Sequence, residues 1–160
     1  MKNLLIVYYS MDGNTKMIAE MIQAETGADI VRLDTVIPYE GTDQEIAAQG
    51  KAEVNEGYTP KLKPLGVSLD AYGTIILGTP TWWYTMAPAV LSFLRENDLS
   101  GKRVIPFQTH AGWPGHGLKD IEEELPGAAV EKGKMIQFSA QEFGKLVTPK
   151  KEIQRWIAEL

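Results

Sequence analysis

The segment YYSMDGNTK, residues 8–16, sets Ser10, Gly13, Asn14 and Thr15 between an apolar run and a helical pattern. The first turn of a helix leaves backbone N–H groups without intrahelical partners, and Gly13 permits a tight turn and close backbone approach. With the Ser10 and Thr15 hydroxyls and the Asn14 amide, these are neutral donors suited to a phosphate at a helix N-terminus. Met11 and Asp12 complete the loop. The same residues also make an ordinary helix start, in which Ser or Asn caps and Gly bends.

A second constellation is TPTWWYT: Thr79, Pro80, Thr81, Trp82, Trp83, Tyr84 and Thr85. Three large rings stand in a row where a surface connection belongs, and a surface connection offers no core to fill. A flat ligand would cover them; alternatively one or two, Trp83 first, belong to the core. The third constellation, THAGWPGHG, spans residues 109–117 with Thr109, His110, Ala111, Gly112, Trp113, Gly115 and Gly117. Its glycines allow unusual backbone angles that expose amides. His110 and His116 have no supporting acidic or thiolate cluster, so a capping or rim role outweighs a catalytic or metal role.

Other chemistries are excluded by what is missing. The chain has no cysteine, which removes disulfides, thiolate nucleophiles and cysteine-ligated metals. GxxxxGK[ST], GxGxxG after the first strand and GxSxG are all absent, removing the main support for a P-loop nucleotidase, a dinucleotide-binding unit or a hydrolase elbow. A phosphoacceptor domain would want acidic residues after the first strand and Asp ending the third, where this chain has Ser10 and Gly78.

The elements that must position these loops follow from periodicity. Apolar runs at 3–10, 73–79 and 103–109 predict buried parallel strands, with weaker ones at 29–34 and 134–138. Helical stripes lie between them: Met17, Ile18, Met21 and Ile22; Val90, Leu91 and Leu94; Leu118, Ile121 and Leu125; Ile153, Trp156, Ile157 and Leu160. Thr148 reads as the N-cap of the last helix, with Pro149 at its first position. The long connection 35–70 is expected to hold one short helix near 43–55. Five alternating strands imply an open α/β sheet between helical layers, and such sheets bind ligands beyond the carboxyl ends of their strands. The loops at 10–15, 79–85 and 109–117 all fall there.

At 160 residues the chain reads as one domain, 1–160, able to bury a full core. The run LLIVYY is too short to span a membrane and lacks a following cleavage pattern, so a soluble, cytoplasmic protein is expected. A net charge of −5 argues against general nucleic-acid binding. Residues 1–60 carry 4 basic and 10 acidic side chains, a bias that favours a cationic partner or simply a solvated helix face.

Taken in order, YYSMDGNT, LGTPTWWYTMAPAVLSFL and QTHAGWPGHG resemble the flavodoxin family, in its compact branch without an insertion in the last strand. The likeness runs across nearly the whole chain. It implies a flavodoxin-like three-layer sandwich, a five-stranded parallel sheet in the order 2-1-3-4-5 and non-covalent FMN. The resemblance assigns Ser10, Met11, Asp12, Gly13, Asn14 and Thr15 to the FMN phosphate. It assigns Thr79, Pro80, Thr81, Trp82, Trp83 and Tyr84, together with Thr109, His110, Ala111, Gly112, Trp113 and Gly115, to the isoalloxazine ring. Exposed amides of the third loop would meet the pyrimidine oxygens.

Two departures from the family pattern stand out. Asp12 replaces a common Thr, putting a carboxylate beside a phosphate dianion. Residues 79–85 contain no glycine, where many members use a Gly-containing peptide whose carbonyl turns toward the flavin. The function implied is an electron carrier served by a reductase and an acceptor protein, with no protein side chain acting as acid, base or nucleophile. An FMN-dependent NAD(P)H:quinone or flavin oxidoreductase is the alternative, and a flavin-free binding module, favoured by Asp12, is a third.

Overall fold

β1, Leu4–Tyr8, is buried at every residue, and its alternation decides the two layers around the sheet. In the computed structural model, which describes residues 3–160, Leu5, Val7 and Tyr9 face one apolar cluster with Val90, Phe93, Leu94 and Ile121. Leu4, Ile6 and Tyr8 face the other, with Ile18, Ile22, Ile153 and Ile157. A strand buried on both faces needs a continuous apolar run, as this sequence has.

The remaining elements are α1 (Asn14–Thr26), β2 (Asp29–Arg32), α2 (Asp43–Glu56), β3 (Thr74–Trp82), β4 (Thr85–Met86), α3 (Pro88–Glu96), β5 (Arg103–His110), α4 (Gly117–Glu124), β6 (Ala129–Val130), β7 (Lys134–Gln137) and α5 (Lys150–Ala158). The parallel sheet runs β2-β1-β3-β5, and its last position is shared by β6 and β7. Counted by position, this is the expected 2-1-3-4-5 order. Among the described residues the strands number seven rather than five, because the last position is broken and β4 adds an antiparallel partner to β3. Gly133 sits in the break at φ 77°, where a Cβ would lie 2.4 Å from the Pro106 carbonyl oxygen.

The structure corrects the sequence reading in three places. The stripe that α1 buries is Thr15, Ile18, Ala19 and Ile22, while Met17 is exposed. α5 begins at Lys150 with Pro149 as N-cap, and the Thr148 hydroxyl instead accepts the Gln137 N–H at 2.7 Å. β3 continues past residue 79 to Trp82 and turns back through β4, so residues 79–85 are a hairpin rather than a loop.

The long connection leaves and returns along itself: Val36 N–H donates to Lys61 and Lys63 N–H to Asp34, each at 2.8 Å. Between these ties it carries α2, whose start is a capping box. The Thr42 hydroxyl accepts the Glu45 N–H at 3.2 Å, and the Glu45 carboxylate accepts the Thr42 N–H. Thr42→Ala should lower stability by about 1 kcal/mol in urea unfolding, since the cap is fully formed. An unchanged midpoint would show that α2 depends on its packing alone.

Candidate functional site

α1 starts at Gly13, which adopts φ 109°, with no side chain capping the helix and no acidic residue in its first turn. Nothing lies within 4 Å of where a Gly13 Cβ would stand. The buried Ser10 hydroxyl accepts the Gly13 N–H at 3.1 Å, leaving its own proton to donate. The first intrahelical bond runs from the Met17 N–H to the Gly13 carbonyl, so the amides of Asn14, Thr15 and Lys16 lie ahead of it as neutral donors, an arrangement that fits an anionic phosphate. Asp12 is exposed and caps none of these amides. Among the described residues no group of three His, Cys, Asp or Glu could hold a metal ion.

The three loops are joined through Thr109. Its hydroxyl bonds that of Thr15 at 2.8 Å, tying the third loop to the first. Its carbonyl accepts the Thr81 hydroxyl at 2.9 Å, tying the third loop to the hairpin. Thr79 is fully buried; its hydroxyl accepts the Ala87 N–H and donates to the Pro80 carbonyl, so it braces the hairpin rather than facing solvent. Sequence reasoning missed Gln108, which is fully buried and donates to the Thr81 hydroxyl at 2.6 Å and the Pro114 carbonyl at 2.7 Å. A polar residue ending an otherwise apolar strand was the available signal.

The aromatic residues divide. Trp82 turns inward, edge-on to Tyr9 at 5.9 Å and to Tyr39 at 5.0 Å between ring centroids. Burial pushes the Tyr9 phenol up to about 12, and burial together with a hydrogen bond to Glu53 raises that of Tyr39. Trp83, for which a core position was the alternative to a place against the ligand, is 42% exposed; its indole N–H donates to the Ala47 carbonyl of α2 at 2.9 Å, with the Lys51 ammonium 5.2 Å from the ring. Helix α2 thus covers the two tryptophans. Tyr84 and Trp113 are exposed, with no ring contact among the described residues.

Trp83 and Tyr84 form the hairpin turn at φ 49° and 70°, left-handed backbone that favours Gly or Asn. The strain persists because the turn is pinned on both sides. Trp83 is held by α2, and the Tyr84 carbonyl accepts the His116 N–H at 2.7 Å. A freely turning peptide at this point is therefore not what the fold provides.

The histidines have defined partners. His116 Nδ1 pairs with Asp120 one turn along α4, and Asp120 also accepts the Thr85 hydroxyl at 2.5 Å. This acidic partner was not foreseen. His110 Nδ1 accepts the Gly112 N–H at 3.0 Å, and burial lowers its pKa below the usual 6.5. The unfolded chain takes up this proton first, so the contribution of His110 is complete above pH 6.5 and declines as pH falls toward the depressed value. Trp113 fluorescence should show a transition with its midpoint below pH 6.5, absent in His110→Phe.

An open parallel sheet whose β1, β3 and β5 ends converge on one helix start without a side-chain cap defines a flavodoxin-like α/β protein. A family model described as flavodoxin matches residues 3–159, and the chain belongs to the flavodoxin family. Among solved structures, one provisionally described as a flavoprotein from Bacteroides uniformis matches with 23% identity and a TM-score of 0.83, covering 98% of each chain. A flavoprotein from Lactobacillus acidophilus, determined in complex with FMN, matches with 21% identity and a TM-score of 0.74, covering 86% of this chain and 93% of that one. Flavodoxin 1 of Bacillus cereus is 22% identical, with a TM-score of 0.59 and coverage of 98% and 92%. No curated protein sequence matches the chain significantly. No helix among the described residues is long and apolar enough to cross a membrane.

Proposed function

We propose that the protein binds FMN non-covalently and works as a flavodoxin-type electron carrier between a reductase and an acceptor protein. The observation that carries this reading is the uncapped start of α1, joined through Thr109 to the hairpin and the third loop. The Ser10 hydroxyl, the Asn14 side chain and the amides of Asn14, Thr15 and Lys16 would hold the phosphate, and the amides of Ala111 and Gly115 would meet the ring's polar edge. Tyr84 and Trp113, which have no ring partner among the described residues, would lie against the flavin. FMN supplies the reversible redox chemistry, and the chain binds, orients and partly dries it.

Glu53 is buried against Tyr39 and Gln49, and Asp120 and Glu124 are paired with His116 and Arg95, so steering of a basic redox partner would fall to the exposed Asp43 and Glu56 of α2 and Glu122 and Glu123 of α4. A cytoplasmic location accords with the cysteine-free sequence. The test is to reconstitute the protein with FMN and follow a reductive titration, then add NAD(P)H with and without a separate reductase. The carrier reading expects stoichiometric FMN and reduction only through the reductase. Protein that takes up no FMN ends it.

One observation favours the second reading, an FMN-dependent oxidoreductase: α2 walls one side of the site and forms a cleft with the tryptophans. Rapid NAD(P)H consumption by the FMN-loaded protein alone would establish that reading. In either case Asp12 opposes the phosphate charge. Asp12→Asn should bind FMN about three- to tenfold more tightly at low salt, with the gain shrinking as ionic strength rises. Fluorescence titration of FMN at two salt concentrations measures this.

A further inference from the structure

The interruption of the sheet's last position has a cause in β5. Val104 and His110 turn their carbonyls toward that position, accepting the Glu131 and Phe138 N–H groups at 2.9 and 2.8 Å. By alternation Pro106 faces it too, and proline has no N–H to give. The chain passes this point through Lys132 and Gly133, whose N–H groups have no hydrogen-bond partner among the described residues. The close approach of Gly133 to the Pro106 carbonyl fixes the crossing.

A notch of about 670 Å³ opens there, within the range of small-molecule sites. Its apolar wall is Ile105, Leu118, Met135, Trp156 and Leu160. Trp156 is half-buried and braced edge-on by Phe107 at 6.0 Å between ring centroids, so this wall loses little freedom when a ligand arrives. None of the lining residues belongs to the three loops assigned to FMN.

Six charged side chains line the notch, three of each sign. Lys134 pairs with Glu152 at 2.7 Å, and Glu131 pairs with Arg103, which lies outside the lining. The Leu160 carboxylate is engaged rather than free. Lys132 and Arg155 have neither an ion pair nor a hydrogen bond among the described residues, and Glu159 is the one lining carboxylate side chain outside a pair. A single negative charge entering here meets two unpaired cations and two unpaired amides against one carboxylate. Desolvation costs rise steeply with charge, so a partly apolar notch with so few cations favours a monoanion over a dianion.

We propose that this notch binds a small aromatic monocarboxylate, its acid group held by Arg155 and Lys132 and its flat body laid against Trp156. The guanidinium fork matches a carboxylate, and the indole offers a face to the ring. The site goes beyond the electron-transfer reading and does not depend on it.

The probe is 1-naphthoate in calorimetric titrations of the full-length protein, before and after FMN is added. It is compared with 1-naphthalenemethanol, which lacks the acid, acetate, which lacks the ring, and 1-naphthyl phosphate, a dianion. Naphthoate should saturate one site, with the alcohol and acetate each about tenfold or more weaker and the phosphate no tighter than naphthoate. Arg155→Gln should weaken naphthoate about tenfold and Lys132→Gln about threefold, whereas Lys151→Gln, a cation of α5 outside the lining, should change it less than about twofold. All three residues are exposed, so these variants should unfold at the parent's urea midpoint. FMN should leave naphthoate affinity within about twofold, since the two sites share no residue. Equal binding of naphthoate and either fragment, a tighter phosphate, no saturable binding, an equal loss from Lys151→Gln, or displacement of naphthoate by FMN would overturn the proposal.

Discussion

Gly115→Ala is expected to lose FMN affinity by about two orders of magnitude and stability by about 2–3 kcal/mol. Gly115 sits at φ 59°, and an added Cβ would stand 2.1 Å from the Tyr84 carbonyl oxygen. Left-handed backbone alone costs alanine roughly 1 kcal/mol. The larger effect is the collision, which no rotamer relieves because both partners are backbone. The Tyr84 carbonyl must move, and it is the group that accepts the His116 N–H at 2.7 Å. The hairpin and the third loop then separate, and with them the two sides proposed to grip the ring. FMN titration and urea unfolding of the apoprotein measure the two effects independently. An alanine variant that binds FMN as the parent does would remove the hairpin–loop junction from the site.

Gly78→Ala should destabilise the fold itself, by roughly 2–3 kcal/mol. Gly78 lies in β3 between Tyr8 of β1 and Phe107 of β5. A Cβ there would come within 2.2 Å of Phe107 Cζ and 2.8 Å of its Cε atoms. Phe107 is fully buried, with Trp156 edge-on at 6.0 Å, so the ring has nowhere to retreat. Phe107→Leu opens the space at its own cost, and adding it to Gly78→Ala should cost less than the two losses summed, by about 1–2 kcal/mol. Urea midpoints of the four proteins complete the cycle. Additive losses would mean that the glycine is required for its backbone rather than for the ring above it.

The strands and their order were legible because β-branched runs buried on both faces leave little choice of structure. The helix in the long connection was legible too, extending to Glu56 rather than 55. The hairpin was not. A two-residue turn normally announces itself with Asn or Gly, and here Trp83 and Tyr84 occupy those positions, held by contacts with α2 and α4 that no local pattern encodes. The same long-range packing decides where the tryptophans lie, which the sequence reading left open: Gly50 on α2 makes room for Trp82, and the Ala47 carbonyl captures the edge of Trp83. The start of α1 was readable as donors around Gly13, but its junction to Thr109 was not, since residues 15 and 109 meet only through the tertiary fold.

The break between β6 and β7 reaches beyond the lane it divides. That border of the sheet offers a two-residue and a four-residue strand separated by an interruption, and the opposite border, β2, is also four residues long with Asp29 and Arg32 exposed. Neither margin presents a long flat ladder on which another copy could continue hydrogen bonding. Concentrated solutions should therefore resist growth into cross-β aggregates, a protection that comes from geometry at the rim rather than from net charge.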